Sequence, residues 1–252
     1  MIVRHEPTDR QLGSPLGRVS PLAKLMTGFV WLAGLLTTTS PWPPLVLAAV
    51  AAIAGLTLGR LPLTTLARGA APLVVAAVSI GFFNTVFAAA NVDPAGHEVA
   101  RLGPLRLTEE AIAGGVGLAS RIVAIALIGV VFAATTDSTR LVDGLVQQAR
   151  VPERFGYGAL AAYQAVPRLS EDLTTLREAR RIRGLPGSWH PRLLIGLLVL
   201  AVRHADRLAL AMDARGFGSG PRSRYRVARW KESDTVLVVA AVGILVVILA
   251  LL

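Results

Sequence analysis

Leu176-Arg-Glu-Ala179-Arg-Arg-Ile-Arg183-Gly184 and, thirty-two residues on, Leu208-Ala-Leu-Ala211-Met-Asp-Ala-Arg215-Gly216 spell one phrase twice, L-x-x-A-x-x-x-R-G. Positions i, i+3 and i+7 of a helix share a face. Each copy therefore lines Leu, Ala and Arg along one stripe, with the Arg in the last turn. The following Gly is the residue favoured at C′, where a helix stops in the left-handed conformation. Pro186 makes the first stop firmer. The expectation is two helices, each ending in an exposed guanidinium. An Arg near a helix C-terminus suits the macrodipole in any protein, so one copy would carry little weight. Two copies with the same spacing point to paired docking elements.

The rest of the chain is membrane-like. Of its 252 residues 53% are hydrophobic, and its mean hydropathy is +0.57, above the ~45–50% apolar content of a soluble domain. There is no cysteine, which excludes disulfides, thiolate metal sites and cysteine nucleophiles. His5, His97, His190 and His204 are scattered without metal-ligand spacing, so no bound metal or cofactor is expected. The formal charge is +10, carried by 26 Lys and Arg of which only Lys24 and Lys231 are lysines. Such a charge ordinarily raises the question of nucleic acid. Here the basic residues fall between apolar stretches, where cytoplasmic flanks of membrane helices account for them better, so the lipid bilayer is the expected surroundings and nucleic acid is not an expected partner.

Five apolar segments stand out: residues 22–39, 44–58, 69–90, 111–134 and 235–252. A membrane crossing takes about 20 apolar residues, with a range of ~17–25. The third, fourth and fifth meet it. The second is short, and with the first it is expected to form a hairpin through Ser40-Pro-Trp-Pro-Pro44. Trp31 and Trp42 are candidate interface markers. Residues 1–20 show no apolar core before a small-residue cleavage site, so they read as a cytoplasmic lead-in, ordered or loose, rather than a signal peptide. Residues 1–24 hold four Lys/Arg and the 59–68 loop holds Arg60 and Arg68, against only Arg101 and Arg106 in loop 91–110. Six against two places the N-terminus inside. Two polar residues interrupt the spans, Asn84 and Arg121. A charge at that depth marks either a specific role or a guanidinium that pairs with a nearby carbonyl or snorkels.

Residues 136–232 carry 17 Lys/Arg and nine Asp/Glu and read as helices. Asp137 or Ser138 caps the first, Val151-Pro152 breaks it, and Pro167 is expected to kink or restart the next. Pro191 sits at the N1 position of the last. Its apolar run 193–202, bounded by Arg192 and Arg203, is too short to span and suits a helix lying along the membrane. The basic linker after Gly216 contains Gly216, Gly218 and Gly220, but with no strand before and no Lys-Ser/Thr after, this is not a nucleotide loop. The resulting fold class is an all-α integral membrane protein with about five transmembrane helices plus long cytoplasmic amphipathic helices. Its divisions are residues 1–20, the membrane region 21–135, the cytoplasmic region 136–232 and the final membrane helix 233–252.

On these residues the chain resembles the transmembrane T component of energy-coupling factor (ECF) importers. The stretches that carry the resemblance are Pro21-Leu-Ala-Lys24-Leu, Thr135-Thr136-Asp-Ser, Val151-Pro152-Glu-Arg, Ala165-Val-Pro167-Arg168-Leu and the two Arg-Gly phrases. It runs from about residue 20 to 226. One departure is visible: Ala214-Arg215-Gly216 is intact, whereas the first copy has Ile182 where the family has Ala. The resemblance implies a non-enzymatic coupling subunit of the bacterial or archaeal cytoplasmic membrane, with two ABC-type ATPases and a separate membrane-embedded substrate-binding S component as partners. ATP and Mg would be used by the ATPases alone. It also implies that Ala179, Arg183, Gly184, Ala214, Arg215 and Gly216 form the ATPase-docking motifs, with Arg180, Arg181 and Arg121 auxiliary. The solute, a vitamin or metal ion, would be chosen by the S component. The chemistry fits, since Arg keeps its charge and forks onto carboxylates.

Two other classes compete. A conventional ABC importer permease would use an E-A-A-x-x-x-G phrase in a cytoplasmic loop, but the Glu-Ala of the cytoplasmic region, Glu178-Ala179, is followed by Arg. A membrane-embedded lipid-headgroup transferase needs clustered aspartates, and Asp137, Asp143 and Asp172 lack short regular spacing.

Overall fold

The computed structural model describes residues 11, 13–38, 40–92, 97–102, 105–185, 189–218, 220 and 226–251. Pro186, the residues before Gln11 and most of the basic linker lie outside them. The described chain is helical apart from one small hairpin: α1 Pro15–Arg18, α2 Pro21–Thr37, α3 Trp42–Thr57, α4 Leu63–Val86, strands β1 Glu98–Leu102 and β2 Leu105–Thr108, α5 Glu109–Thr135, α6 Ser138–Gln147, α7 Glu153–Ile182, α8 Pro191–Ala214 and α9 Glu232–Leu251. It forms two compact units, one comprising residues up to Gly144 and from Arg229 onward, the other Leu145–Ala228.

In the first unit three helices are long and apolar enough to cross a membrane: Leu63–Asn91 (α4 with its 3-10 extension), Glu109–Thr135 and Glu232–Ala250. α2 and α3 are apolar but only 17 and 16 residues long. At about 1.5 Å per residue they reach about 25 Å, short of a ~30 Å hydrocarbon core.

The centre of this unit is α5. It packs along α4 and α3 and touches α2, and its Ala124 and Ile128 join a core with Trp31, Leu35, Leu47 and Leu245. Close approach of α4 to α5 depends on two glycines: a Cβ on Gly115 would lie 2.6 Å from the Gly81 carbonyl oxygen. The expected α2–α3 hairpin does not form as a packed pair. The turn is there, but α2 lies against α9 and α3 against α5. Trp31 explains part of this. Instead of marking an interface it is buried, and its Nε1–H donates to the Ala241 carbonyl of α9 at 3.0 Å. Trp42 stays exposed.

Side chains close the helix ends. Asn91 donates to the Thr85 and Val86 carbonyls ending α4 and accepts from the Thr108 amide that begins α5. Within the loop 91–110, Glu98–Leu102 and Leu105–Thr108 pair as antiparallel strands, with Arg106 Nε 3.0 Å from the Glu98 carboxylate. Described residues of the lead-in pack on this unit. The Leu16 amide donates to the Leu58 carbonyl, and the Leu16 side chain packs with Leu61, Leu66 and Val131.

In the second unit α7 runs through Pro167 without a break over 30 residues. A proline there removes one backbone bond and crowds one carbonyl; the helix is long enough to absorb that local loss, and Ser170 Oγ donates to the Pro167 carbonyl at 2.6 Å. The chain then doubles back into α8, which packs on α7 with Gly196 facing Leu176. His190 caps α8 by accepting the Arg192 amide on Nδ1 at 3.1 Å, and Pro191 follows at the first helical position.

Candidate functional site: twin arginine caps

The two repeated phrases end their helices in the same way. Arg183 is the C-cap of α7, with φ −78 and ψ 8; Arg215 is the C-cap of α8, with φ −91 and ψ 10. The glycines that follow are left-handed, Gly184 at φ 67 and Gly216 at φ 68. The Gly184 amide donates to the Arg181 carbonyl and the Leu185 amide to that of Arg180. In the second copy Gly216 donates to Asp213 and Phe217 to Met212. This pair of bonds, 5→2 and 6→1, is the Schellman closure of a helix. The repeat in the sequence is therefore a repeat in backbone geometry. Each guanidinium is fixed at its root by the cap and leaves the helix where unsatisfied carbonyls make the environment negative.

Arg183 and Arg215 are both exposed. Ile182, the departure in the first copy, is 86% exposed, so the bulk of its side chain stands beside Arg183 on the surface. Ala179 and Arg180 are half-buried, and Arg181 and Ala214 exposed.

The two caps are not brought together. Arg154, in the first turn of α7, donates from Nη2 to the Gly218 carbonyl at 3.3 Å. Gly218 is three residues past Arg215, so the second cap lies within about 10 Å of the start of α7. The first cap closes the other end of that helix. Arg154 to Ile182 is 28 residues, about 42 Å of helix. One helix thus separates the two guanidinium ends.

Arg121 takes no part in either cap. Its Nη2 donates to the Thr38 carbonyl at the end of α2, which is the carbonyl pairing among the alternatives expected for it.

Four residues with structural roles were not singled out from sequence. Lys24 is buried and donates from Nζ to the Thr135 carbonyl at 2.6 Å. Asp234, also buried, accepts the Ser20 amide on Oδ1 and the Lys231 amide on Oδ2, each at 2.8 Å. It thereby serves the N-termini of α2 and α9 together, where a carboxylate is favoured. Gln147 grips the chain just before α9: Nε2 donates to the Arg226 carbonyl and Oε1 accepts the Ala228 amide, each at 2.9 Å. Arg154 is the fourth. Lys24 and Arg154 did lie in stretches that carried the family resemblance, which was the available signal.

Apolar helices of crossing length, together with two helices closed by matched arginine caps, define a helical membrane protein. Residues 13–226 match the CbiQ family, described as cobalt transport protein. Among similar proteins, the energy-coupling factor transporter transmembrane protein EcfT of Lactococcus lactis is 25% identical, with 95% of this chain and 92% of that protein covered. The protein of the same name from Limosilactobacillus fermentum is 28% identical, covering 91% of this chain and 90% of that one. A putative ABC transporter ATP-binding protein of Bifidobacterium longum is 27% identical over 94% of this chain, which spans 32% of that longer protein. The chain belongs to the CbiQ family, as a transmembrane T component of ECF transporters.

Proposed function

We propose that this T component is a non-catalytic coupling subunit that docks two ABC-type ATPases, one on each arginine cap. The observation that supports this most is the pair of matched Schellman closures at opposite ends of α7, which presents two equivalent guanidinium ends about 40 Å apart. That separation suits two separate protein partners better than one ligand. Each Arg would fork onto a carboxylate in a groove of its ATPase, with Arg180 and Arg181 in support. ATP and Mg act only in the ATPases. As the ATPases close, the caps move with them and load the membrane helices, which hold a separate substrate-binding subunit for a vitamin or metal ion. The putative ATP-binding relative, in which a region like this chain makes up a third of the protein, fits a partnership with an ATPase.

The same reading places the protein in the cytoplasmic membrane of a bacterium or archaeon with its N-terminus inside, α2 and α3 adding two short crossings to the three long ones. The test is purification from mild detergent. Wild type should bring down ATPase chains and the double Arg183→Ala/Arg215→Ala variant should not. Retention of ATPases by the double variant would refute the assignment.

A further inference from the structure

We infer that Gln147 and Arg154 are positioning residues that lock the segment trailing the second cap onto the base of α7, so that the two arginine caps move as one body. The inference rests on the docking reading above, but its geometry is independent of that reading. Arg154 holds the Gly218 carbonyl, and a Cβ on Gly218 would come 2.8 Å from Arg154 Nε. The guanidinium thus lies directly on the backbone of a left-handed glycine with φ 83. Eight residues later Gln147 holds both sides of Val227, taking the Arg226 carbonyl and the Ala228 amide. A primary amide pairs with an extended backbone in this way only if both its donor and its acceptor are used.

The two grips bracket the whole return from Gly218 to Ala228. Without them, the second cap would be joined to α7 mainly through α8 and the turn at its far end. With them, the far end of α8 is tied to the near end of α7, closing a frame whose two long sides are α7 and α8. A frame transmits displacement of either cap to the other. Gln147 also ends α6, and three residues separate Ala228 from α9, so both chain connections of this unit leave from the locked end.

The chain has no cysteine, so spin labels can be placed without background at Thr174→Cys and Leu210→Cys, both exposed and one on each helix. The distance distribution between them is measured on the purified chain and on its complex with ATPases, before and after MgATP with vanadate. Gln147→Met keeps side-chain length and helix propensity while removing donor and acceptor; Arg154→Met does the same for the second grip, and Arg154→Lys restores a donor. Wild type and Arg154→Lys should give a narrow distribution that MgATP leaves unchanged. The two Met variants should bring down the same amount of ATPase, with distributions broadened about twofold by local opening and shifted further by MgATP. Met variants as narrow as wild type would overturn the inference. Failure of the docking reading is distinct: wild type would then bring down no ATPase, while the distributions on the isolated chain would still decide whether the frame is locked.

Discussion

Lys24 donates from Nζ to the Thr135 carbonyl at the end of α5, and Arg121 of α5 donates to the Thr38 carbonyl at the end of α2. Each of these two antiparallel helices thus supplies the cation that closes the other. Lys24 lies 14 residues before Thr38 and Arg121 lies 14 residues before Thr135, about 21 Å in either helix. Cations at helix C-termini are favoured by the macrodipole, and the equal spacing sets the register of α2 on α5 from both ends.

Removing either cation leaves a carbonyl of the helix end without its donor. Lys24→Met should cost about 1–3 kcal/mol. In a chain of this size the unfolding temperature in detergent should fall by about 2–4 °C for each kcal/mol. An unchanged transition would show that the Lys24 bond contributes nothing net.

Asp234→Asn keeps shape but replaces one acceptor with an amide that faces another donor. Because Ser20 and Lys231 both donate to this carboxylate, the loss should again be about 1–3 kcal/mol. The first sign should be faster hydrogen exchange at the starts of α2 and α9, with α4 unaffected.

Two glycines of α5 should respond oppositely to alanine. At Gly115 the new methyl meets the Gly81 backbone, which cannot move aside, and overpacking of this kind costs about 1–3 kcal/mol. At Gly129 a Cβ meets nothing within 4 Å, so Gly129→Ala should be neutral or gain up to about 1 kcal/mol of helix propensity. Thermal unfolding of the two variants side by side checks this.

Gly184→Ala and Gly216→Ala force a Cβ into the left-handed conformation at about 1–2 kcal/mol. If that strain disturbs the caps, ATPase binding should weaken by about tenfold for each, with Gly→Asn milder. Equal affinity for Ala and Gly variants would show that cap geometry is irrelevant to docking.

The twin caps were legible in the sequence because a C-cap is a local event: Gly184 and Gly216 announce the left-handed turn, and the phrase before them fixes which residue holds the cap. The long apolar spans were legible for the same reason, since length and composition suffice. What was not legible depends on partners distant in the chain. Lys24 looks like a flank charge until Thr135, 111 residues away, covers it. Trp31 looks like an interface residue until α9 arrives. The hairpin at 98–108 has strands of five and four residues, too short for alternation to stand out. Pro167 does not restart the helix, because its local penalty is set against the length of helix on either side. Gln147 and Arg154 grip backbone, and backbone carries no residue-type signal.

The central claim is two ATPases on two caps, and native mass spectrometry of the detergent-purified complex tests it most directly. Wild type should carry two ATPase chains, Arg183→Ala and Arg215→Ala one each at matched concentration, and the double variant none. Two ATPase chains retained on either single variant and on the double would contradict the account.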